Sequence, residues 1–427
     1  MTSESENPGG TEEGHGRYLR AFLGLLFGAA LGIVALNWWV DPYGMFRAAP
    51  AGLEPAGFNT TLRLSKARAV ARIKPQAIIL GTSRAELGLD PSHPGWPVAP
   101  VYNLALSGGT LYEMSRYLQH AQQTRPLTHV VMSVEFGGFL AKTSTQKGFD
   151  ETALAVDADG RPTPPNWRRI MLPLFSRDAL EASLAALTAR AAPKNAILYH
   201  SNGQREWRSK LEQVKRSGGY HRDFVKREDI YLRSVQNRRN QLEDAPLASF
   251  DRILAFAATH GIHLSIVLDP VHARRLELYD LTGRWPLFEA WKRRLAAMVE
   301  ARRQAGATID LWDFTGYSPV TTEPVPPPGD KKTEMAGYWE VSHYKSVVGD
   351  RVLDTLFGRT GPDGSSFGVR LTPESLEPHL ALIRHEQQAF RTRYPEVAAE
   401  LAERARRLAK SGKGESKEKP DLNASLD

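Results

Sequence analysis

Short apolar runs alternate along the chain with longer amphipathic segments. The runs hold four to six residues, are rich in Val, Ile or Leu, and are bounded by turn residues, which is typical of strands buried on both faces. The predicted strands are 77–80, 101–106, 129–134, 263–268 and 308–312, and the predicted helices are about 110–124, 247–260, 284–305 and 344–357. This alternation predicts a three-layer α/β domain, a doubly wound parallel sheet with helices on both faces and right-handed crossovers.

The rest of the chain divides around this α/β domain, which we place at 76–360. Residues 141–246 carry polar and helical sequence without a convincing strand, and predict an inserted, mainly helical lobe or lid. Residues 361–408 predict a C-terminal helical region. The two ends, 1–16 and 409–427, are rich in Glu, Gly and Ser and predict disordered tails.

One segment is far more apolar than the rest. From 21 to 40 the chain has 20 consecutive residues without a charge, enough at about 1.5 Å per residue to cross a hydrocarbon layer of roughly 30 Å. A signal peptide is the rival interpretation, but its apolar stretch covers only about 7–15 residues and ends in small residues, whereas this one ends in Trp38-Trp39. We therefore predict an uncleaved transmembrane anchor at 17–40 and a juxtamembrane connector at 41–75.

The residues around and within the anchor predict its orientation and contacts. Arg17 and Arg20 precede the span and an acidic residue follows it, which favours a cytoplasmic N-terminus in a bacterial inner membrane and a periplasmic main domain. Gly24, Gly28 and Gly32 share one helix face and allow a second helix to approach closely, in a dimer or on another membrane protein. Glycine is also common in membrane helices without such a role.

Composition narrows the functional classes. The formal net charge is +7, but Lys and Arg are interspersed with nearly as many acids, which indicates a solvated surface and not a nucleic-acid site. The chain has no cysteine, so disulfides, thiolate metal ligands and a cysteine nucleophile are excluded. Paired-histidine metal spacings are absent from the sequence as well, and we predict neither a metal nor a cofactor.

Polar groups follow two of the predicted strands, at the edge where functional groups gather in open α/β sheets. After the first strand a glycine turn presents Ser83 and then Arg84, a possible source of cationic stabilisation. The alternative interpretation is a helix cap, with Glu86 three residues after Ser83 completing a capping box. After the second strand, Gly108 and Gly109 offer backbone N–H groups to a developing negative charge, although tight turns use glycine anyway.

A third segment places Glu340 three residues before His343, just ahead of a predicted helix. This spacing lets the carboxylate reach Nδ1 of the histidine while Nε2 faces a serine, which is how a hydroxyl nucleophile is activated. Asn103, within the second predicted strand, is a candidate for an oxyanion donor, and His272, after the predicted strand 263–268, is a candidate for a substrate contact. A structural hydrogen bond is the alternative for each.

The order of a serine turn, an Asn-x4-Gly turn and a late acid-x-x-His resembles the block pattern of the SGNH (GDSL-like) hydrolases, over about 76–357. The resemblance implies the flavodoxin-like fold of that superfamily. It also implies that Ser83 is the nucleophile, that Gly108 donates to the oxyanion, and that Glu340 and His343 complete the triad. An anchor followed by such a domain is similar to the envelope branch of the superfamily, including alginate O-acetylation proteins and the D-alanyl transfer protein of teichoic acids.

Three departures from that pattern bear on activity. Gly-Thr-Ser stands where Gly-Asp-Ser is usual, Glu340 replaces the usual Asp, and Phe139 stands where the third block has Asn. Loss of one oxyanion donor costs about 100- to 1000-fold in rate. The resemblance implies a serine esterase or O-acyltransferase acting on acyl groups of an envelope polysaccharide, with a multispanning acyltransferase as partner. The alternative is an inactive SGNH-like protein that binds glycan or scaffolds an envelope complex.

Overall fold

Six strands pair into one sheet within the residues that this computed structural model describes, which are 9–47, 52–188, 195–236, 240–360, 364 and 367–411. The strands are β1 (Ala77–Leu80), β2 (Val101–Asn103), β3 (His129–Val134), β4 (His263–Leu268), β5 (Ile309–Asp313) and β6 (Val369–Arg370). Their order is β2-β1-β3-β4-β5-β6, with β6 antiparallel to β5 and all other pairs parallel. The order reverses at β1, and a crevice is expected outside the carboxyl ends of the strands there.

Helices cover both faces of the sheet. The helices among the described residues are α1 (Gly9–Val40), α2 (Leu62–Ile73), α3 (Ser83–Gly88), α4 (Leu111–Thr124), α5 (Trp167–Met171), α6 (Arg177–Thr188), α7 (Arg208–Ser217), α8 (Tyr220–Gln236), α9 (Asp244–Thr259), α10 (Ala273–Leu281), α11 (Trp285–Gln304), α12 (Ser346–Leu356), α13 (Pro373–Arg393) and α14 (Pro395–Ser411). Because side chains alternate along a strand, Ile78 and Leu80 of β1 pack with α2, α4, α9 and α11, whereas Ile79 packs with α3 and α12. The predicted α/β class with helices on both faces is confirmed.

Two strand predictions are corrected. The sheet is mixed and not purely parallel, because the two-residue strand β6, too short to show a pattern in the sequence, pairs antiparallel with β5. The strand predicted at 101–106 ends at Asn103. There the Asn103 side chain accepts the Ala105 N–H at 3.1 Å, which takes that group out of regular strand pairing.

The N-terminal boundary is also corrected. The tail predicted at 1–16 is helical from Gly9 onward, as the start of α1, while residues 1–8 lie outside the described residues.

The C-terminal helical region predicted at 361–408 contains α13 and α14, separated at Tyr394 just before a proline. The tail predicted at 409–427 is helical as far as Ser411, because α14 continues its amphipathic pattern, and 412–427 lies outside the described residues. The predicted lobe at 141–246 contains α5 to α8 and, in its described part, no strand of the sheet.

One helix among the described residues, within α1, is long and apolar enough to cross a membrane. It covers His15–Val40; its most apolar 18-residue window has a mean hydropathy of 2.1, and none of that window is buried inside the protein. A core helix of a soluble protein would be mostly buried, so this exposure agrees with an apolar environment outside the chain.

Candidate active site

Ser83 lies at the carboxyl end of β1, as the first residue of α3. The turn between them depends on Gly81, whose φ of +156° and close approach to Ala85 leave no room for a side chain, since an added Cβ would lie 2.7 Å from the Ala85 Cβ. Thr82 occupies the N-cap position without a side-chain capping bond, and Ser83 Oγ points to His343 instead. The capping-box interpretation of this turn is therefore wrong.

Three predicted residues come together here from positions far apart in the chain. Ser83 Oγ lies 2.8 Å from His343 Nε2, and His343 Nδ1 is hydrogen-bonded to Glu340 Oε1. All three residues are buried. This is the arrangement in which a carboxylate orients an imidazole and the imidazole accepts a hydroxyl proton.

The loop that carries Glu340 and His343 is held by its own hydrogen bonds. The Glu340 carboxylate accepts the backbone N–H of Ser342 at 2.9 Å and of His343 at 3.1 Å. The Trp339 N–H donates to the His343 carbonyl at 2.9 Å, which closes the loop around the histidine. The ring position is thus fixed before any substrate arrives.

The electrostatic environment keeps the base neutral and its partner ionised. Burial lowers the pKa of the His343 imidazole to about 3, the Lys210 ammonium acts in the same direction, and Glu340 opposes them only in part. Burial alone would raise the pKa of Glu340, but the charge and hydrogen bond of His343, with Arg227 and Lys210, hold it well below its usual range. A neutral imidazole beside a carboxylate can accept the Ser83 proton at neutral pH.

Gly108 is placed where an oxyanion donor is needed. It lines the same crevice as Ser83, has a φ of +62°, and within the described residues nothing accepts a hydrogen bond from its N–H. Gly109 does not share this role, because its N–H donates to the Leu106 carbonyl at 2.7 Å and closes the turn. The second donor available at this position is the N–H of Ser83 itself, in the first turn of α3, where backbone donors are free.

Asn103 is not an oxyanion donor in this structure. Its amide donates to the carbonyls of Ala85 at 2.8 Å and Leu89 at 3.0 Å, and its oxygen accepts the Ala105 N–H. The residue is fully buried and joins α3 to the end of β2. All of its hydrogen-bonding groups are used in holding the two turns together, which was the structural alternative for this residue.

His272 is likewise structural. Its Nε2 is hydrogen-bonded to the Glu323 carbonyl at 2.8 Å, and its Nδ1 accepts the Arg274 N–H at the start of α10. Burial lowers its pKa to about 3, so that it stays neutral. With both nitrogens engaged and no face on the crevice, it cannot contact a substrate there.

Arg84 lines the crevice beside the nucleophile but is already paired. Its guanidinium forms an ion pair with Glu135 and lies 3.8 Å from Asp269. Burial raises the pKa of Asp269 to about 6, although Arg84 and a hydrogen bond from Ser133 oppose the shift. The positive charge near Ser83 is therefore largely balanced by these carboxyl groups.

Phe139 lies in the hydrophobic core and not in the crevice. Its ring packs against Phe250 at 5.8 Å and Trp291 at 5.6 Å between ring centroids, and it is fully buried. The neighbouring Gly137 and Gly138 do line the crevice. Phe139 thus neither blocks the site nor supplies a donor to it.

The crevice around Ser83 has a volume of about 970 Å³. One wall comes from α8 of the predicted lobe, and another from the 141–147 loop, neither of which the sequence assigned to the site. Seven Lys or Arg and three Glu side chains line it. Arg275 is one of them and lies 3.6 Å above the ring of Tyr231.

A buried ion pair behind the site was also not predicted from the sequence. Lys66 Nζ lies 3.1 Å from Glu86 Oε1 and also donates to the Ala105 carbonyl, while Ser107 Oγ donates to Glu86 Oε2 at 2.6 Å. The pair connects α2 to α3 and to the turn that carries Gly108. A lysine inside the amphipathic pattern of α2 is expected to be a surface residue. The sequence therefore gives no signal that Lys66 is buried.

The fold and the site together define an α/β protein with a buried Ser-His-Glu constellation at the switch point of its sheet and an apolar helix at its N-terminus. Among the described residues, no group of three His, Cys, Asp or Glu side chains is arranged to hold a metal ion. No protein-family model matches the chain, and no curated protein matches it significantly.

Proposed function

We propose that the chain is a membrane-anchored serine esterase or O-acyltransferase of the SGNH hydrolase superfamily, acting on acyl groups of a cell-envelope polysaccharide. The observation that carries the proposal is the 2.8 Å hydrogen bond between Ser83 Oγ and His343 Nε2, with Glu340 on the other ring nitrogen. The strand order 2-1-3-4-5, with the serine turn directly after the first strand, fits the flavodoxin-like arrangement of that superfamily.

The proposed reaction follows from these contacts. His343 Nε2 takes the proton of Ser83 as Oγ attacks the ester carbonyl carbon, and Glu340 stabilises the imidazolium that forms. The N–H groups of Ser83 and Gly108 donate to the oxyanion. His343 then gives the proton to the leaving alcohol, which departs and leaves an acyl-enzyme. Water or a sugar hydroxyl, deprotonated by His343, then attacks the acyl carbonyl carbon. The bond from that carbon to Ser83 Oγ breaks as His343 returns the proton to Oγ.

The crevice supports a large polar substrate. Its volume of about 970 Å³ is at the upper end of the range for small-molecule sites. Apart from Arg63 and Arg84, which are paired with Glu113 and Glu135, five Lys or Arg and two Glu side chains line it, which favours a polymer that carries acidic groups. A polysaccharide chain with acyl esters has both the size and the hydrogen-bonding groups that this lining can use.

We place the anchor in a bacterial inner membrane with its N-terminus in the cytoplasm and the α/β domain in the periplasm. Arg17 and Arg20 before the apolar span support that orientation. Asn37, near the end of α1, is buried against the Leu174 carbonyl and Ser183, and cleavage of α1 would leave these groups uncovered. A multispanning acyltransferase that supplies the acyl group is the proposed partner.

The glycine face of α1 remains a candidate for helix association. An added Cβ at Gly24, Gly28 or Gly32 would meet no described atom of the protein within 4 Å, so this face is not covered by the chain's own domain. A dimer or a docked membrane partner there is a prediction.

A non-catalytic glycan-binding or scaffolding protein is the second candidate, and one observation favours it. Phe139 stands in the core where the superfamily has a side-chain oxyanion donor, which leaves only backbone donors at the site. Loss of one such donor costs about 100- to 1000-fold in rate, so a slow enzyme and a binder both fit this feature.

Removal of the nucleophile tests the proposal. Ser83→Ala in the full-length protein should lower hydrolysis of a chromogenic acetyl ester by roughly 10⁴- to 10⁶-fold, as loss of a triad residue does, and should abolish acylation of the envelope polysaccharide in cells. The exposed Ser92→Ala is the matched control and should change neither. Unchanged hydrolysis and acylation in Ser83→Ala would contradict the catalytic assignment.

A further inference from the structure

Large apolar side chains on the protein surface are concentrated in one short segment outside α1. Nine such side chains are exposed on the described residues beyond α1, and five of them fall between 167 and 188, each 48 to 64% exposed. They are Trp167, Leu172, Phe175, Leu184 and Leu187. A water-facing surface seldom gathers that many large apolar groups in so few residues, so this segment needs an apolar partner.

The segment is attached to the end of the anchor by buried hydrogen bonds. Asn37 of α1 donates from its amide to the Leu174 carbonyl at 2.8 Å, and its oxygen accepts from Ser183 Oγ at 2.8 Å. Asn37 is fully buried, although it lies within the most apolar helix of the chain. The Asn37 side-chain amide thus joins α1 to the 167–188 segment through two hydrogen bonds.

Helix α6 runs back along α1 toward the middle of the apolar span. Its Ala179 packs in one cluster with Tyr43 and Met45, after the end of α1, whereas Ser183 reaches Asn37 inside α1. The half-buried Ile33 lies one turn further back. The two helices therefore pack antiparallel to each other.

Helix α6 is charged in its first half and apolar in its second half, which is the half that lies nearer the middle of the anchor. Charged residues stand in its first half, at Arg177, Asp178 and Glu181, and none stands from 182 to 188. Thr188 lies about 7.5 Å beyond Ser183, and Asn37 lies about 4.5 Å before the end of α1, at 1.5 Å per residue. The end of α6 thus lies roughly 12 Å from the end of α1, measured along the anchor toward its middle. Half of a hydrocarbon layer measures about 15 Å, so the two lengths are similar.

We propose that the 167–188 segment is a second membrane-embedded element, which inserts the apolar end of α6 into lipid hydrocarbon beside α1 and keeps Trp167 and Phe175 at the interface. This inference rests on the proposed membrane anchor. Its partner is the acyl-chain region of the leaflet that faces the α/β domain. The domain is then held to the bilayer at two points and cannot rotate freely about a single tether.

Lipid-depth fluorescence quenching in the full-length protein tests this. The chain has no cysteine, so single Leu187→Cys, Leu31→Cys and Leu382→Cys variants each carry one fluorophore. All three leucines are about half exposed, with Leu31 in the anchor and Leu382 on α13 of the α/β domain. In proteoliposomes containing spin-labelled phosphatidylcholine, the fluorophore at 187 should lose as much fluorescence as the one at 31, while the one at 382 loses none.

The other outcomes overturn the inference in distinguishable ways. If 31 is quenched and 187 behaves like 382, the segment is in water and the proposal fails while the anchor stands. If 187 is unquenched by lipid but also protected from a water-soluble maleimide, a second protein copy covers it and lipid is not the partner. If neither 31 nor 187 is quenched, the anchor fails together with the segment.

Discussion

Replacement of Lys66 by Met tests whether the ion pair behind the crevice holds the site together. The Lys66 and Glu86 side chains are both fully buried and 3.1 Å apart. Burial lowers the pKa of the lysine, and Glu86 opposes that shift. In Lys66→Met the Glu86 carboxylate would remain buried, with Ser107 and Tyr199 still donating to it but without the cation that is hydrogen-bonded to it.

The expected loss is large because one partner of a buried pair is left uncompensated. Such a change costs about 3–5 kcal/mol of unfolding free energy. The double variant Lys66→Met/Glu86→Gln removes both charges and keeps an oxygen for Ser107, so it should be more stable than the single variant. Urea unfolding of the detergent-solubilised protein, followed by tryptophan fluorescence, measures both. Arg177→Met, which breaks an exposed pair with Glu181, is the control and should change little.

Three results would refute this reasoning. A Lys66→Met protein within about 1 kcal/mol of the wild type, the size of an ordinary substitution, would mean that the buried pair adds nothing. A double variant as unstable as the single one would mean that packing around Lys66 matters and its charge does not. Loss of stability without loss of Ser83 reactivity in the folded fraction would show that the turn carrying Gly108 does not depend on the pair.

Three further predictions concern single side chains. Glu340→Gln should slow ester hydrolysis by about 10⁴-fold with little change in fold, because an amide neither holds the His343 ring in the reactive tautomer nor stabilises the imidazolium that forms, and steady-state kinetics with circular dichroism measure both effects. Phe139→Ala should cost about 3–5 kcal/mol in urea unfolding, because it empties core space beside Trp291; a loss below 1 kcal/mol would contradict its placement. Burial lowers the pKa of His120 in the folded protein to about 4, from 6.5 in the unfolded chain. As pH falls, the unfolded chain therefore binds a proton at this residue before the folded protein does. The contribution of the neutral imidazole to stability is complete above pH 6.5 and is lost as pH falls toward 4. Wild-type unfolding free energy should therefore fall more steeply over that range than that of His120→Gln, by about 1.4 kcal/mol per pH unit, and equal slopes would contradict a buried neutral imidazole.

Much of the α/β framework is predictable from local pattern. Strands such as Ala77–Leu80 and His263–Leu268 are buried on both faces, so their apolar runs stand out from the amphipathic helices between them. The two-residue strand β6 leaves no such run, and only its pairing with β5 defines it. The early end of β2 depends on one hydrogen bond from the Ala105 N–H to the Asn103 side-chain oxygen, which no hydrophobic pattern records.

The site residues divide in the same physical way. Ser83, Glu340 and His343 were identifiable because each stands in a short motif whose geometry is local. Asn103 and His272 also place polar side chains at or after strand ends. Only the three-dimensional contacts show that these side chains are hydrogen-bonded to backbone groups within the protein.

The charges around the site were harder to predict. Lys210 is buried beside Glu340 although it lies in a polar helix, and burial lowers its pKa to about 7. Its position depends on how α7 packs against the loop of His343, a contact between segments more than 100 residues apart.

Covalent labelling of Ser83 by a fluorophosphonate tests the central claim most directly, because that reagent reacts only with a serine activated by its surroundings. One adduct per folded chain is expected, located at Ser83 by mass spectrometry, absent in Ser83→Ala, strongly reduced in His343→Ala and unchanged in Ser92→Ala. Folded wild-type protein that gains no adduct at Ser83, or that is labelled equally well without His343, would contradict it.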